Sequence, residues 1–486
     1  MWRFIKYSLN RLINRHEGIL LCFYKGFLFR LMNIYTFDYM SIQSKLGRGD
    51  LTMLVVSFII GVGIFRAPSD IARDAGTPFI FYVSWIVGGF VSVCGTLTFA
   101  EIGARLPAAG GYYRIFSYSY HPAFAFMFNW ALVIINAGSA VAVGLIGADY
   151  IRPVIVPEAW QAAYSPDTIK TVIAFIVITA LFLLNYAGIK MGSRAQNVLS
   201  SLKIVMMLLL CLAVFGNHSH IHSQVIIQQS ASDGFKALGL CLVNVFFSFG
   251  GYQNTINLGA DIKNPQRNIP LAIFGGMAIV VTLYMLINLA YVQVIGFEEM
   301  KTTPLLASEL ARSFFKDAGF KITSVIIFTS VLGFLNASFM SNPRIYYAMA
   351  EDKILPPIFK KVNPKTQTQV FGLTFFFIVI LVSLFLGNDF QKIVNYIIFI
   401  DNLALIFAVV TIFVLRKRMK NEVYTGYKMK LFPLLPVIFI LVLLYACVSI
   451  CLEHPYQALI GLGVFFGGYP LYLLLKLASK NAKANA

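Results

Sequence analysis

Two glycine-bearing stretches interrupt long apolar runs, and their residues are the ones best placed to do chemistry. The first is Gly61-Val62-Gly63-Ile64-Phe65, followed by Arg66, Ala67 and Pro68, inside a Val/Ile-rich segment. The second is Phe247-Ser248-Phe249-Gly250-Gly251-Tyr252-Gln253-Asn254. A mid-helix glycine costs about 1 kcal/mol relative to alanine. Close helix packing through small residues is one reading of such glycines. Unwinding is the other. It exposes backbone N–H groups at a positive helix end, which suit a carboxylate, and it frees carbonyls, which suit an ammonium group. An α-amino acid carries both groups one carbon apart. Two interrupted spans, five helices apart, favour the unwound reading and point to an inverted repeat.

Isolated charges inside apolar runs form the next set, because each is costly in lipid. Lys203 follows Ser200-Ser201 and either snorkels to the interface or is held inside. Asp401, with Asn402 beside it, would be protonated, would hydrogen-bond a neighbouring helix, or would pair with Lys203. Its functional options are a proton relay or a polar wall of a pocket. Glu101 has Arg105 at i+4, which reads as a structural or gating ion pair. His218, His220 and His222 would make a metal site only with further ligands, so a solvated turn is the expectation. The cysteines Cys22, Cys94, Cys211, Cys241, Cys447 and Cys451 form no CxxC pair and read as small residues of the interior or the lipid face. Neither a metal nor a cofactor is expected.

The elements that position these residues follow from composition. Hydrophobic residues make up 58% of the 486, charged residues 12%, and mean hydropathy is +0.75. Soluble domains carry about 25% charged residues, so this chain takes lipid as its solvent and must be helical or a closed barrel. Its apolar runs have helix length, not strand length. Twelve spans are predicted: Leu51–Ala72, Phe79–Ile102, Ala123–Ile146, Ile169–Ile189, Val198–Phe215, Ala237–Ala260, Leu271–Ile295, Ile322–Met340, Val370–Leu386, Ile393–Leu415, Phe432–Cys451 and Ala458–Leu475. Leu305–Phe315 reads as a short surface helix between the seventh and eighth.

Twelve spans put both termini on one side. Of the 39 Lys and Arg, 28 fall in segments on that side, with Arg416-Lys417-Arg418 the sharpest cluster. The positive-inside rule therefore predicts cytoplasmic termini in a plasma (inner) membrane. The net charge of +18 reads as topology, not as nucleic-acid binding. Residues 1–48 read either as a basic cytoplasmic extension on the anionic leaflet or as partly preceding a start near Met40. No loop has room for a soluble catalytic domain, and the titratable residues are isolated, not clustered, which argues against an enzyme. The continuous polar stripe of a channel is missing from the sequence.

Four motifs resemble the amino acid–polyamine–organocation superfamily. They are Gly61 to Pro68, Phe99-Ala100-Glu101-Ile102-Gly103-Ala104-Arg105-Leu106-Pro107 to Gly111, Gly250 to Asn254 with Lys263-Asn264-Pro265 to Pro270, and Asn336-Ala337-Ser338 with Pro343-Arg344-Ile345-Tyr346-Tyr347. Their order holds from about Gly47 to Lys476, and within the superfamily the chain is most similar to bacterial relatives of L-type amino acid transporters. The resemblance implies an all-α membrane protein of twelve helices. It would have a five-plus-five inverted repeat, broken helices one and six, and spans eleven and twelve added. Units of 1–48, 49–216, 217–415 and 416–486 follow.

The resemblance also implies roles. Backbone of Gly61, Val62, Gly63, Ile64 and Phe65 would hold the substrate carboxylate. Many relatives have Ser where Val62 stands, which would remove a hydroxyl from that contact. Carbonyls near Phe247 and Ser248 would hold the amine, with Phe247 an aromatic gate. Ile135, Asn136, Gly138, Gly250, Tyr252 and Asn254 would face the same pocket. Relatives place a span-five Lys where sodium-coupled cousins place Na⁺. Lys203 would replace that ion, and because desolvation disfavours its charge it would serve as a proton carrier. Gln253 stands where some relatives use Glu as a proton sensor, which shifts any proton coupling to Asp401 or Lys203. No Arg is evident to neutralise an acidic side chain, and Asp401 is the candidate partner for a basic one. The expectation is sodium-independent transport of neutral amino acids by alternating access, as proton symporter or exchanger. Cationic amino acids or polyamines come second, and a non-transporting amino acid receptor is the alternative of another class.

Overall fold

Several helix starts are written as a capping residue followed by proline. Proline suits the first helical position because its missing N–H has no partner there in any case. Thr77, His121 and Ser165 each accept a hydrogen bond from a backbone N–H of the first turn that follows. They open Pro78–Arg105, Pro122–Ile155 and Pro166–Tyr186; Pro265–Val294 also starts on a proline, but Asn264 before it takes φ 46° and makes no side-chain cap.

The computed structural model describes residues 46–486 apart from 62, 108–109, 213–230, 304, 387–389, 422–423, 454 and 485–486. In chain order the helices are α1 (Arg48–Ile59), α2 (Gly63–Ala75), α3 (Pro78–Arg105), α4 (Gly111–Ser119), α5 (Pro122–Ile155), α6 (Glu158–Ala163), α7 (Pro166–Tyr186) and α8 (Ile189–Cys211). There follow α9 (Ala231–Phe249), α10 (Pro265–Val294), α11 (Phe297–Met300), α12 (Leu306–Glu351), α13 (Val370–Leu386), α14 (Phe390–Arg418), α15 (Leu434–Glu453) and α16 (Pro455–Ala484). Short 3₁₀ turns cover Tyr252–Asn257, Gly259–Asp261 and Pro357–Lys360.

Among the described residues eleven helical segments are long and apolar enough to cross a membrane, Arg48–Ala75 counting as one, and Val370–Phe385 is a shorter apolar helix. This is a twelve-helix membrane fold. Large apolar side chains such as Ile86, Phe90, Val172, Leu209, Leu441 and Leu474 point outward, where acyl chains would cover them. The interior is organised by α12, which packs on α5 and α8, and by α10, which packs on α1 and α3.

Three predicted boundaries are corrected. The fifth span begins at Ile189, not Val198, because polar residues at its start are buried in contacts: Gln196 with Asn336 (2.7 Å) and Asn197 with Asp50 (2.6 Å). Within α12 the predicted short helix up to Phe315 and the eighth span are two helices that meet at a non-helical Lys316 (φ 49°), and the second runs on to Glu351 instead of ending at Met340. The sixth span stops being α-helical at Phe249, eleven residues before its predicted end at Ala260. Residues 1–45 (with Cys22), Val62, and His218, His220 and His222 lie outside the described residues.

Candidate functional site

The two glycine breaks meet. α1 ends at Ile59 and α2 starts at Gly63. Gly63 lies so close to α9 that a Cβ there would stand 3.2 Å from Ser248 Cα. On the other side Gly251 takes φ +114°, and a Cβ there would stand 2.2 Å from the Phe58 carbonyl oxygen. Glycine is the residue that tolerates both the conformation and the approach. The Tyr284 hydroxyl lies 3.2 Å from the Ile59 carbonyl and 3.1 Å from the Ser248 carbonyl, tying the breaks together. Gln253 Oε1 accepts the Gly251 N–H at 2.8 Å, so this amide stabilises the bend in the backbone of the second break.

A cavity of about 770 Å³ opens over this junction. Gly61, Gly63, Asn136, Phe247, Ser248, Gly250 and Asn254 line it, as do Gln253, Asp401 and Asn402. Phe247 is exposed to it. Asn136 donates to Asn342 Oδ1 at 2.8 Å, which fixes the amide on the α5 wall. Two residues expected to face the pocket lie outside its lining. Tyr252 is buried and meets the Phe99 ring edge-on at 5.7 Å, while Ile64, expected to act through its backbone, also buries its side chain. Gly138 sits within α5 away from the cavity, whereas Ile135 and Ser139 reach it.

Arg66 is the residue the sequence reading missed. It lines the cavity, which corrects the expectation that no arginine faces the site. The signal was available: Gly63, Arg66, Ala67 and Asp70 follow the i, i+3, i+4, i+7 rule of one helix face, and all four line the cavity. From there the cavity runs past Asp149 on α5 to Asp167 and Lys170 on α7. Lys170 pairs with Asp149 at 3.0 Å and Asp167 at 3.4 Å.

The buried charges resolve differently from one another. Lys203 does not snorkel. It is fully buried, and its Nζ donates to the carbonyls of Ile60 (2.6 Å) and Ser57 (3.4 Å). Its tip lies against Gly333 of α12, where a Cβ would stand 3.0 Å from Nζ. The ammonium therefore joins α8, the first break and α12 by satisfying carbonyls that unwinding released. No Lys203–Asp401 pair forms. Asp401 lines the cavity floor and has no ion-pair partner among the described residues. Glu101 is a structural hub: it accepts from Arg105 (2.8 Å), Arg416 (2.7 and 3.0 Å) and the Met429 N–H (2.8 Å).

The end of the bundle opposite the cavity mouth is sealed. Arg344 of α12 pairs with Asp261 at 3.0 Å, both buried. Asp261 in turn offers its carbonyl to the Leu46 N–H at 2.8 Å. The Gly110 N–H donates to the Asn257 carbonyl (3.2 Å), and Asn257 Nδ2 donates to Ser341 (2.9 Å). Tyr113 donates to Asp352 at 2.8 Å. Burial, then the Asp352 carboxylate, holds its phenol above the usual range.

Comparison with known proteins agrees with this geometry. A family model described as amino acid permease matches residues 46–464. The chain is similar to the Serine/threonine exchanger SteT of Bacillus subtilis (strain 168), with 29% identity over 429 residues, covering 87% of this chain and 94% of the relative. It is similar to the human Large neutral amino acids transporter small subunit 2 at 24% over 440 residues, covering 89% and 81%. It is also similar to the human Cystine/glutamate transporter at 25% over 437 residues, covering 88% and 85%.

Proposed function

The chain belongs to the amino acid permease family, and on that premise we propose how its cavity selects and moves a substrate. It is a multi-pass membrane transporter of amino acids, not an enzyme. The observation that carries the proposal is the contact of two broken helices beneath one cavity. The α2 start at Gly63 presents backbone N–H groups to a carboxylate, with Gly61 before it and only backbone used at Ile64. Carbonyls near Phe247 and Ser248, with Gly250 beside them, receive the amine, and Phe247 covers the bound substrate. Asn136 and Asn254 bound the pocket, while Tyr252 supports it from behind.

Lys203 already satisfies the Ile60 and Ser57 carbonyls, which supports sodium-independent transport. The substrates are neutral amino acids, moved by alternating access. The names of the relatives, one an exchanger, support exchange, and proton symport through Asp401 or Lys203 is the variant of the same mechanism. Gln253 and Glu101 hold backbone and loops in place during that cycle. Cationic amino acids or polyamines are the second reading, favoured by Asp401. The protein sits in the plasma membrane with cytoplasmic termini, its repeats at 49–216 and 217–415 and the last two helices added.

Reconstitution into liposomes tests this. Uptake of a labelled neutral amino acid should be equal in Na⁺ and choline media. Dependence on internal unlabelled amino acid marks exchange, and response to an imposed pH gradient marks symport. Loss of uptake in choline would contradict the sodium-independent mechanism, and binding without either form of uptake would make the protein a receptor.

A further inference from the structure

The cavity lining contains polar groups to which the transport reading assigns no part in recognising the substrate side chain. Asp401 and Asn402 of α14 and Tyr112 of α4 all belong to it. Tyr112 is 2% exposed and its hydroxyl has no hydrogen-bond partner among the described residues. Asn402 is 4% exposed, and its Nδ2 is likewise without a partner. The Asp401 carboxylate faces the same space with no ion pair, and it interacts electrostatically with the Tyr112 hydroxyl. One acceptor and two buried donors thus border the same cavity, the Tyr112 hydroxyl within electrostatic reach of Asp401 and Asn402 next to it in sequence. Buried polar groups are nearly always satisfied, so their unmet valence describes what belongs there.

Each class of amino acid side chain can be matched to this set. An aliphatic side chain would bury all three groups unpaired. An ammonium has three donors and no acceptor, so it would answer Asp401 and leave Tyr112 and Asn402 unmet. A carboxylate would answer the two donors and repel Asp401. A hydroxyl donates once and accepts twice, and a carboxamide offers both an N–H donor and a two-lone-pair oxygen. Either can give a hydrogen to Asp401 while accepting from Tyr112 and Asn402. We propose that Tyr112, Asp401 and Asn402 form a side-chain subsite that selects neutral amino acids ending in a hydroxyl or carboxamide. The proposal rests on the transport reading and narrows its substrate class.

The test uses isosteric pairs on the purified full-length protein, with binding followed by thermal shift and by competition. The pairs are L-threonine with L-valine, L-serine with L-2-aminobutyrate, and L-asparagine with L-leucine, with L-lysine added. In at least one pair the polar member should bind roughly tenfold tighter or more, because a site built to hydrogen-bond a group rejects the analogue that lacks it. Tyr112→Phe should narrow that ratio about fivefold or more while leaving the affinity for the apolar member unchanged, which a merely structural role would not do. Equal binding within every pair, tightest binding of lysine, or a ratio unmoved by Tyr112→Phe would overturn this inference and leave amino acid transport standing. Binding of none of the amino acids would overturn the transport reading itself and this one with it.

Discussion

The two ends of the helix bundle are built from the same kinds of side chain in opposite solvents. At the mouth, Asp149 and Lys170 pair at 3.0 Å with side chains 42% and 22% exposed, and Asp70 pairs with Arg73 at 3.3 Å in water. At the sealed end, Arg344 and Asp261 pair at the same 3.0 Å but are 4% and 1% exposed. Distance does not separate them; hydration does. A hydrated pair is worth roughly 0–1 kcal/mol. A buried pair that loses one partner leaves an uncompensated charge, at a cost of about 3–5 kcal/mol. The mouth can therefore rearrange its charges cheaply, whereas the sealed end acts as a latch that must open as a unit. Alternating access needs this asymmetry to be reversible, so opening the latch must coincide with new partners or water for Asp261 and Arg344.

The largest expected effect comes from breaking the latch. Arg344→Ala should destabilise the protein by about 3–5 kcal/mol and abolish transport, read as a lowered thermal midpoint in detergent and as lost uptake. An unchanged midpoint would mean that the pair is hydrated in solution and that the contrast between the ends is not real. Glu101→Gln should cost somewhat less, about 2–3 kcal/mol. It removes the charge that Arg105 and Arg416 share but keeps an acceptor for one of them. Limited proteolysis between α14 and α15 should then quicken, since Met429 loses its anchor on Glu101. A cleavage pattern matching the wild type would place the hub outside the seal. The smallest effect belongs to the mouth. Lys170→Ala should shift stability by less than about 1 kcal/mol and leave transport intact at physiological salt. A loss as large as that of Arg344→Ala would erase the distinction.

The parts of this arrangement that the sequence made legible are those with a local signature. Gly61, Gly63 and Gly251 stand out because glycine is disfavoured inside a helix, and the contacts at Gly63 and Gly251 give the reason. The parts that stayed hidden depend on partners distant in sequence. Gln196 and Asn197 resemble a loop until Asn336 and Asp50 are brought to them. Arg344 resembles the end of a span until Asp261 buries it, and so α12 is longer than its hydropathy suggests. Lys203 could not be separated from a snorkelling lysine, because the Ile60 carbonyl becomes available to it only through the break in a different helix. Tyr112 carries no signal of its own in a loop-like stretch, and only folding brings it to the cavity that Asp401 and Asn402 also line.

On the proposed function the first break binds an α-amino acid through its backbone, and the space around Gly61 allows a direct measurement. A Cβ at Gly61 would meet only Phe334, at an ordinary 3.7 Å, so alanine fits there and leucine would project into the cavity. Amino acid binding should be measured by thermal shift on Gly61→Ala and Gly61→Leu in parallel. Gly61→Ala should bind within a few-fold of the wild type, and Gly61→Leu should insert and unfold normally but give no shift with any amino acid. Wild-type binding by Gly61→Leu would contradict it.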